Sequence, residues 1–386
     1  MEKAGRENCH PIWAEINCSA LRQNFRLIRS HIKTSTRIMS VVKGNAYGHG
    51  ALAVASLFAQ EGTDLFGVAR FSEAEQLRQG KISQPILIFG ITDPRLVSAL
   101  ASNNFIQTVH SLSYAEKLHK AAKETGCQVR IHLKVDTGMG RLGFLTSGNG
   151  GTIPISEVIS RISRLDSLRL EGIYTHFATC DSPVLDSARN QLELFNYSLV
   201  QLGDVTQPKE LCIHASNSAA LMVLPEAHFD MVRPGIMLYG LVPSVEMDSS
   251  AFKLSPAMSV KTRISQLKRV PPGFPISYGH SYVTNHETVL ATVPVGYADG
   301  YPRLLSSLGK MLIRGVHANV VGRVCMDQLM LDVGHIPNVQ EGDEVVVLGK
   351  QGDEEIAADE LAQLTGTINY EVVSRFLARV PRVYIE

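Results

Sequence analysis

From residue 37 onward the sequence repeats one pattern eight times: a short apolar run of strand type, then a longer stretch with helical spacing. The strand candidates are 37–42, "LFGVAR" from 65, "PILIFG" from 85, "FIQTVH" from 105, "VRIHLKVD" from 129, "LRLEGIYTHFA" from 168, "ELCIHAS" from 210 and "FDMVRPG" from 229. Helix starts are predicted at the capping box Ser72-x-x-Glu75 and at Ser113-x-x-Glu116. Eight β-then-α units over this length predict an α/β fold, a (β/α)8 TIM-type barrel over 1–245. A doubly wound open sheet has a similar rhythm, so spacing alone leaves both open. From 246 to 386 the rhythm changes to β-type runs separated by turns, as in "AMSVKTRISQLKRV", "TVLATVPVGYADG", "HANVVGRVCMDQLMLDV" and "DEVVVLG". That predicts a mostly β C-terminal domain with one helical insert, "IAADELAQLTG", and a junction near "SVEMDSSAFK". The first ~14 residues are expected to pack with that second domain.

Composition narrows the class. The chain has 386 residues, long enough for two cores. With 45% hydrophobic and 19% charged residues it reads as an ordinary globular protein. Lys+Arg and Asp+Glu both number 37, with no basic block, which argues against nucleic acid or an anionic membrane as partner and for a small molecule. Cysteines at 9, 18, 127, 180, 212 and 325 form no C-x-x-C pair, so reduced thiols are expected rather than a disulfide framework or a metal site. "MEKAGRENCHPIWAEI" has no apolar h-region and no run approaches a membrane span. A cytoplasmic protein is expected.

Polar residues fall where a barrel keeps its active site, at the strand C-termini. Lys43 ends strand one after "TRIMSVV". An ammonium there must reach water, pair with a carboxylate, or work as an amine of lowered pKa. Arg141 follows strand five, His176 ends strand six, "HASNSAA" follows strand seven and "VRPGI" ends strand eight. Asn217 and Ser218 are helix-cap types. A helix opened there, with Gly235 in the neighbouring loop, also offers N–H and hydroxyl groups to an anion. A reactive lysine opposite a phosphate cup suggests pyridoxal 5'-phosphate.

"VVKGNAYGHG" closely resembles the pyridoxal-phosphate signature of alanine racemases, in which alanine is commoner at the position of Gly44. "KVDTGMGRLG", "THFA", "HASNSAA", "RPGIMLYG", "SYG", "VGYADGYPR", "CMDQ" and "INYE" resemble that family's motifs in its order, over nearly the whole chain. The resemblance implies interconversion of L- and D-alanine by two bases, in a homodimer with shared active sites, whether D-alanine is made for peptidoglycan or consumed. Lys43 is then the residue that holds the cofactor's aldehyde and one acid/base, and Tyr278 of the partner subunit is the other. A carbanion protonated from one face only would return to the same enantiomer, so inversion needs both. A phenol with reference pKa about 10 needs help as a base, and His176 resembles the family histidine that bonds it. Arg233 resembles the arginine facing the pyridine nitrogen, where a cation cannot keep that nitrogen protonated. Tyr47, Ser218, Tyr370 and the backbone of Gly235 and Ile236 are implied as ligands of the cofactor phosphate, with Asn217 beside them in the cofactor-binding cup. Arg141 is implied near the cofactor's phenolic oxygen and the substrate carboxylate, with the Met326 backbone also on that carboxylate and Asp327 in support. Tyr297, Arg303, Asp181, Arg323 and Ile368 are implied at the entrance. Lys134 would ordinarily be read as salt-bridged to Asp136, but the matching family lysine is often carbamylated.

"GMGRLG" matches G-x-G-x-x-G, yet "FLTSGNGGTIP" follows and breaks the helix a dinucleotide site requires. "GNAYGHG" lacks the G-K-[ST] of a P-loop. The remaining alternatives are a broad-specificity amino-acid racemase and a basic amino-acid decarboxylase of the same fold. A non-catalytic pyridoxal-phosphate-binding protein would lack the domain at 246–386.

Overall fold

Eight parallel strands follow one another around a sheet in the order Met231–Val232, Arg37–Val41, Leu65–Val68, Ile86–Ile88, Phe105–Val109, Val129–Asp136, Leu168–Tyr174, Cys212–His214. The computed structural model describes residues 10–145, 150–151, 153–202, 211–248, 250–376 and 378–386. Strand eight pairs with strand one at Met231↔Arg37 and Val232↔Ile38. Backbone bonds from Asp230 N to Ile213 O (3.0 Å) and from Arg233 N to Ser216 O (2.9 Å) tie it to strand seven. The barrel is therefore nearly closed, and its last two strands are short. Met39, Leu65, Leu87, Ile106, Tyr174, Cys212 and Met231, each from a different strand, form one buried cluster, as expected of a barrel filled by side chains rather than open as a pore.

The predicted helix after Lys43 is present as Ala51–Gln60. Both predicted capping sites need correction. The helix Phe71–Gln79 is capped at Arg70, with Glu73, not Glu75, returning to the N-cap backbone. The helix Leu112–Glu124 is capped by Ser111, whose hydroxyl accepts from Tyr114 N, and not by Ser113. Two serines stand two residues apart in "SLS", and only the first has the extended backbone a cap needs.

Arg22–Ala46 and Ala51–Leu254 make up this barrel unit, while Met1–Leu21, Tyr47–Gly50 and Ser255–Glu386 make up a second, mostly β unit. The second unit is built on a ten-stranded sheet. Ile12–Asn17 lies in it, antiparallel to Met258–Arg263 and parallel to Arg382–Ile385. Met258–Arg263 alternates buried and half-buried side chains, the period of a strand covered on one face. The expected helical insert is Ala358–Thr365. A small separate hairpin pairs Pro275–Ile276 with Tyr282–Val283. Among the described residues no helix is long and apolar enough to cross a membrane.

Candidate active site

Strand one is held at its end by the buried Tyr239, whose hydroxyl donates to Val41 O (2.9 Å). After Lys43 the backbone enters a left-handed turn, with φ of 62° at Gly44, 55° at Asn45, 54° at Ala46 and 51° at Tyr47. Only glycine adopts that region freely, and each L-residue there costs about 1–2 kcal/mol. Three hydrogen bonds offset the strain: Ala46 N to Val42 O (2.9 Å), Ala51 N to Asn45 Oδ1 (2.8 Å) and Gly44 N to Glu73 Oε1 (2.7 Å). Burial, then the positive charge of Arg141, lowers the Lys43 pKa, with Glu73 acting in the opposite direction.

Strand five delivers Lys134 and Asp136, and the loop after it delivers Arg141. The Asp136 carboxylate is spent on that loop. Its Oδ1 accepts from the backbone N–H of Gly138 (3.0 Å), Met139 (2.9 Å) and Gly140 (3.1 Å), and its Oδ2 from Arg141 (3.2 Å). The ordinary reading of Lys134 as salt-bridged to Asp136 is therefore corrected: among the described residues Lys134 forms no ion pair. Burial and then Arg141 draw the Lys134 amine down to about 8.

Arg233 ends strand eight, buried. Its Nη2 donates to Thr175 O (2.9 Å) and Ala215 O (2.9 Å) and lies 3.4 Å from His176 Nδ1, while Nη1 meets His214 Nδ1 at 3.0 Å. His214 stacks on Tyr174 at 4.7 Å and contacts His132 Nδ1 through Nε2 (3.0 Å). A Cβ on Gly172 would lie 2.7 Å from the His132 ring, so the second imidazole needs that glycine. Every partner of the guanidinium is neutral. Burial draws Arg233 down to about 10, which leaves it cationic at neutral pH. Burial, followed by the charges of Arg233, Arg141, Lys134 and Lys43, holds His176 well below its usual value.

Asn217 Oδ1 caps the short helix Ser218–Val223 by accepting from Ala220 N (2.9 Å). Ser218 Oγ accepts from Gly235 N (2.8 Å), which joins the loops after strands seven and eight. Ile236 then opens a 3-10 turn, Ile236–Tyr239. Asp181 lies exposed in the loop after strand six.

In the β unit, Tyr278 stands at the tip of the small hairpin, 69% exposed. Ser277 before it has φ 66° and donates its hydroxyl to Arg323 O (2.7 Å), and a Cβ on Gly322 would meet the Ser277 side chain at 2.7 Å. The phenol is thus mounted on a braced, strained turn. Beside it a cleft of about 680 Å³ is lined by Tyr278, Gly279, His280, Met326 and Asp327, among others. Met326 O accepts from Ala298 N (3.0 Å) and Cys325 O from Tyr297 N (3.1 Å). Arg379 pairs with Asp327 (2.8 Å) and with the buried Asp299 (2.9 Å), whose Oδ2 takes Gly296 N (2.9 Å), so one guanidinium steadies both loops. Tyr47 packs on Tyr370 with ring centroids 6.1 Å apart, and burial pushes the Tyr47 phenol up. Tyr297 and Ile368 are exposed, and Arg303 opens the 3-10 turn Arg303–Leu305.

Residues 16–243 match the profile of the alanine racemase N-terminal domain, and residues 257–384 that of the C-terminal domain. The chain belongs to the alanine racemase family. It is 46% identical to an alanine racemase of Desulfosudis oleivorans, covering 96% of each chain. Among solved structures it resembles the alanine racemase of Clostridium difficile 630 (39% identity, TM-score 0.91, 98% of this chain and 96% of that one). It also resembles that of Bacillus anthracis with bound L-Ala-P (36% identity, TM-score 0.90, 98% and 95%).

This chain carries glycine at 44, the first residue of the left-handed turn. A Cβ at Gly44 would meet nothing within 4 Å, so the cost of Gly44→Ala is conformational alone. We expect that substitution to lower unfolding stability by about 1 kcal/mol, read as a lower urea midpoint. An equal or higher midpoint would contradict the left-handed turn.

The structure also brings in residues that motif reading did not single out, Glu73, His132, His214 and Gln191, and gives Asp136 a role other than the expected pairing with Lys134. Gln191 Oε1 accepts from Ala178 N (2.9 Å) and its Nε2 donates to His176 O (3.2 Å), anchoring the loop after strand six. Glu73 had a findable signal, the third helical position after an extended Arg70, which the Ser72-x-x-Glu75 template masked. The cofactor the family implies fits the donor set. Lys43, Lys134, Arg141 and Arg233 lie in the barrel unit with no ion pair among the described residues; after burial, the charge of Arg141 lowers the pKa of Lys43 and of Lys134, and Arg233 adds to the effect on Lys134. Such uncompensated charge suits a phosphate-bearing group and a carboxylate substrate.

Proposed function

We propose that this chain interconverts L-alanine and D-alanine with pyridoxal 5'-phosphate, as a two-fold dimer with shared active sites. The unpaired set Lys43, Lys134, Arg141 and Arg233 carries the reading. When bound, the cofactor supplies an aldehyde that captures an amine and a ring that withdraws electrons from the substrate Cα–H bond.

Lys43 would hold the cofactor and exchange a proton on one face of Cα. Burial supports this, because an amine of lowered pKa is more readily unprotonated at neutral pH. Tyr278 of the partner subunit would act on the opposite face. Tyr47, Asn217, Ser218, Tyr370, Gly235 and Ile236 would surround the phosphate, with Asn217 acting chiefly through the helix it caps. Arg233 would face the pyridine nitrogen and, remaining cationic, leave it unprotonated, which disfavours proton return to the cofactor and so transamination. Arg141 and the Met326 backbone would take the substrate carboxylate, Asp327 acting through Arg379 on the loop that bears Met326. A carbamate on Lys134 would turn a cation into an anion beside Arg141. An amine drawn down to about 8 is a better acceptor of carbon dioxide than an ordinary lysine.

Tyr297, Arg303, Asp181, Arg323 and Ile368 would border the entrance and, with Tyr278 and Tyr370, leave room for a methyl side chain. Bulk exclusion of this kind can exceed the roughly 1–3 kcal/mol that one methylene confers in an apolar pocket. Purified protein given L-alanine and pyridoxal 5'-phosphate should reach equal amounts of both enantiomers by chiral chromatography, with serine turned over weakly. Absence of D-alanine would sink the proposal, and comparable kcat/KM for lysine or arginine would replace it with a broad-specificity racemase.

A further inference from the structure

Glu73 makes more contacts than a helix cap requires. Its Oε2 accepts from Ala69 N (2.8 Å) and from Arg70 N (3.0 Å), which is what a glutamate at the third helical position does. Its Oε1 leaves that helix and takes Gly44 N at 2.7 Å, the first N–H after Lys43. One half-buried carboxylate thus ties the turn after strand one to the turn after strand two. The turn it reaches is left-handed for four residues, three of them not glycine, and needs outside restraint to persist.

We propose that Glu73 is a positioning residue for Lys43, fixing the turn that carries the lysine and supplying a negative charge that the otherwise cationic site lacks. The inference rests on the cofactor reading of Lys43 given above. Arg141, from the loop after strand five, acts on Lys43 as a positive charge, and His176, Lys134 and Arg233 belong to the same cluster. Asp136, the other carboxylate close to these cations, is committed to four backbone N–H groups and its charge falls on Lys134. Glu73 is the carboxylate whose field favours the charged Lys43 amine. Its loss has two separable effects: the amine deprotonates at lower pH, and the turn loosens.

Glu73→Gln separates these from plain helix capping. A glutamine oxygen can still accept from Ala69 and Arg70, but its amide then presents a donor to the Gly44 N–H. The protein is stripped of cofactor with hydroxylamine, and the rate of adduct formation with added pyridoxal 5'-phosphate is followed by absorbance from pH 6 to 10. The variant should show its rate midpoint shifted to lower pH by about half a unit. After reloading, kcat should be down roughly 10-fold at little-changed KM. Glu75→Gln, on an exposed position of the same helix, should match wild type. An unchanged midpoint and kcat in Glu73→Gln, with only a lower urea midpoint, would overturn the inference and leave Glu73 a cap. If Glu73→Gln does not fold, Glu73→Asp keeps the charge but is one methylene short. It should hold the wild-type pH midpoint and lose kcat, and an unchanged kcat would overturn the inference. Failure of the wild-type protein to form any adduct on Lys43 would sink both this and the cofactor reading, an outcome distinct from a normal wild type beside an unaffected variant.

Discussion

Lys43→Ala is expected to lower kcat for alanine racemisation by about 10⁴-fold or more, since it removes a covalent anchor and a proton-transfer group together. The structure supplies a demanding control. Burial and Arg141 depress the pKa of Lys134 as well as that of Lys43, so two lysines compete for the same role. Borohydride reduction of wild-type protein with pyridoxal 5'-phosphate, followed by peptide mass spectrometry, should place the label on Lys43, and Lys43→Ala should take up none. Label on Lys134, or retained turnover in Lys43→Ala, would contradict the assignment.

Tyr278→Ala should be nearly as damaging, roughly 10²- to 10⁴-fold for loss of one general acid/base, and the loss should be reversible by mixing. A phenol 69% exposed at the tip of a hairpin is too wet to be a selective base until something covers it. We expect that cover to be the barrel of a second copy. Co-refolding Lys43→Ala with Tyr278→Ala would then place both lesions in one site of each heterodimer and leave the other intact. Random mixing should restore roughly a quarter of wild-type activity. No recovery, in a mixture shown by mass spectrometry to contain heterodimers, would rule out the shared site.

The eight β-then-α units were legible because their strands are short, mostly buried apolar runs, but closure into a barrel rests on the pairing of strand eight with strand one, which spacing does not distinguish from an open sheet. The cap positions were less so, since Ser72, Ser111 and Ser113 are chemically equivalent and only the backbone decides between them. The hairpin under Tyr278 was invisible, because "PISYGHSYV" has too few apolar residues to show a period. The left-handed turn was hidden for a related reason: Asn45, Ala46 and Tyr47 carry no glycine signal, and their conformation is imposed by bonds from Glu73, Val42 and Ala51. Strand-end positions marked Lys43, Arg141, His176 and Arg233 without any structure. What they touch depended on where the Asp136 and Glu73 carboxylates were spent, which spacing does not encode.

The line of contacts from Arg233 through His214 to His132 fixes where protons reside. A guanidinium can only donate, so His214 Nδ1 must accept, its hydrogen must sit on Nε2, and that hydrogen points at His132 Nδ1, which leaves the second imidazole protonated on Nε2. Neither ring can take up another proton without aiming hydrogen at hydrogen. Burial, with neighbouring arginines, accordingly draws His132 down to about 3 and holds His214 well below its usual value. His176 is held low in the same way. The barrel thus holds these three buried imidazoles below the range where histidine ordinarily titrates. The Lys134 amine, drawn down to about 8, is the group left to respond to acidity changes just above neutrality.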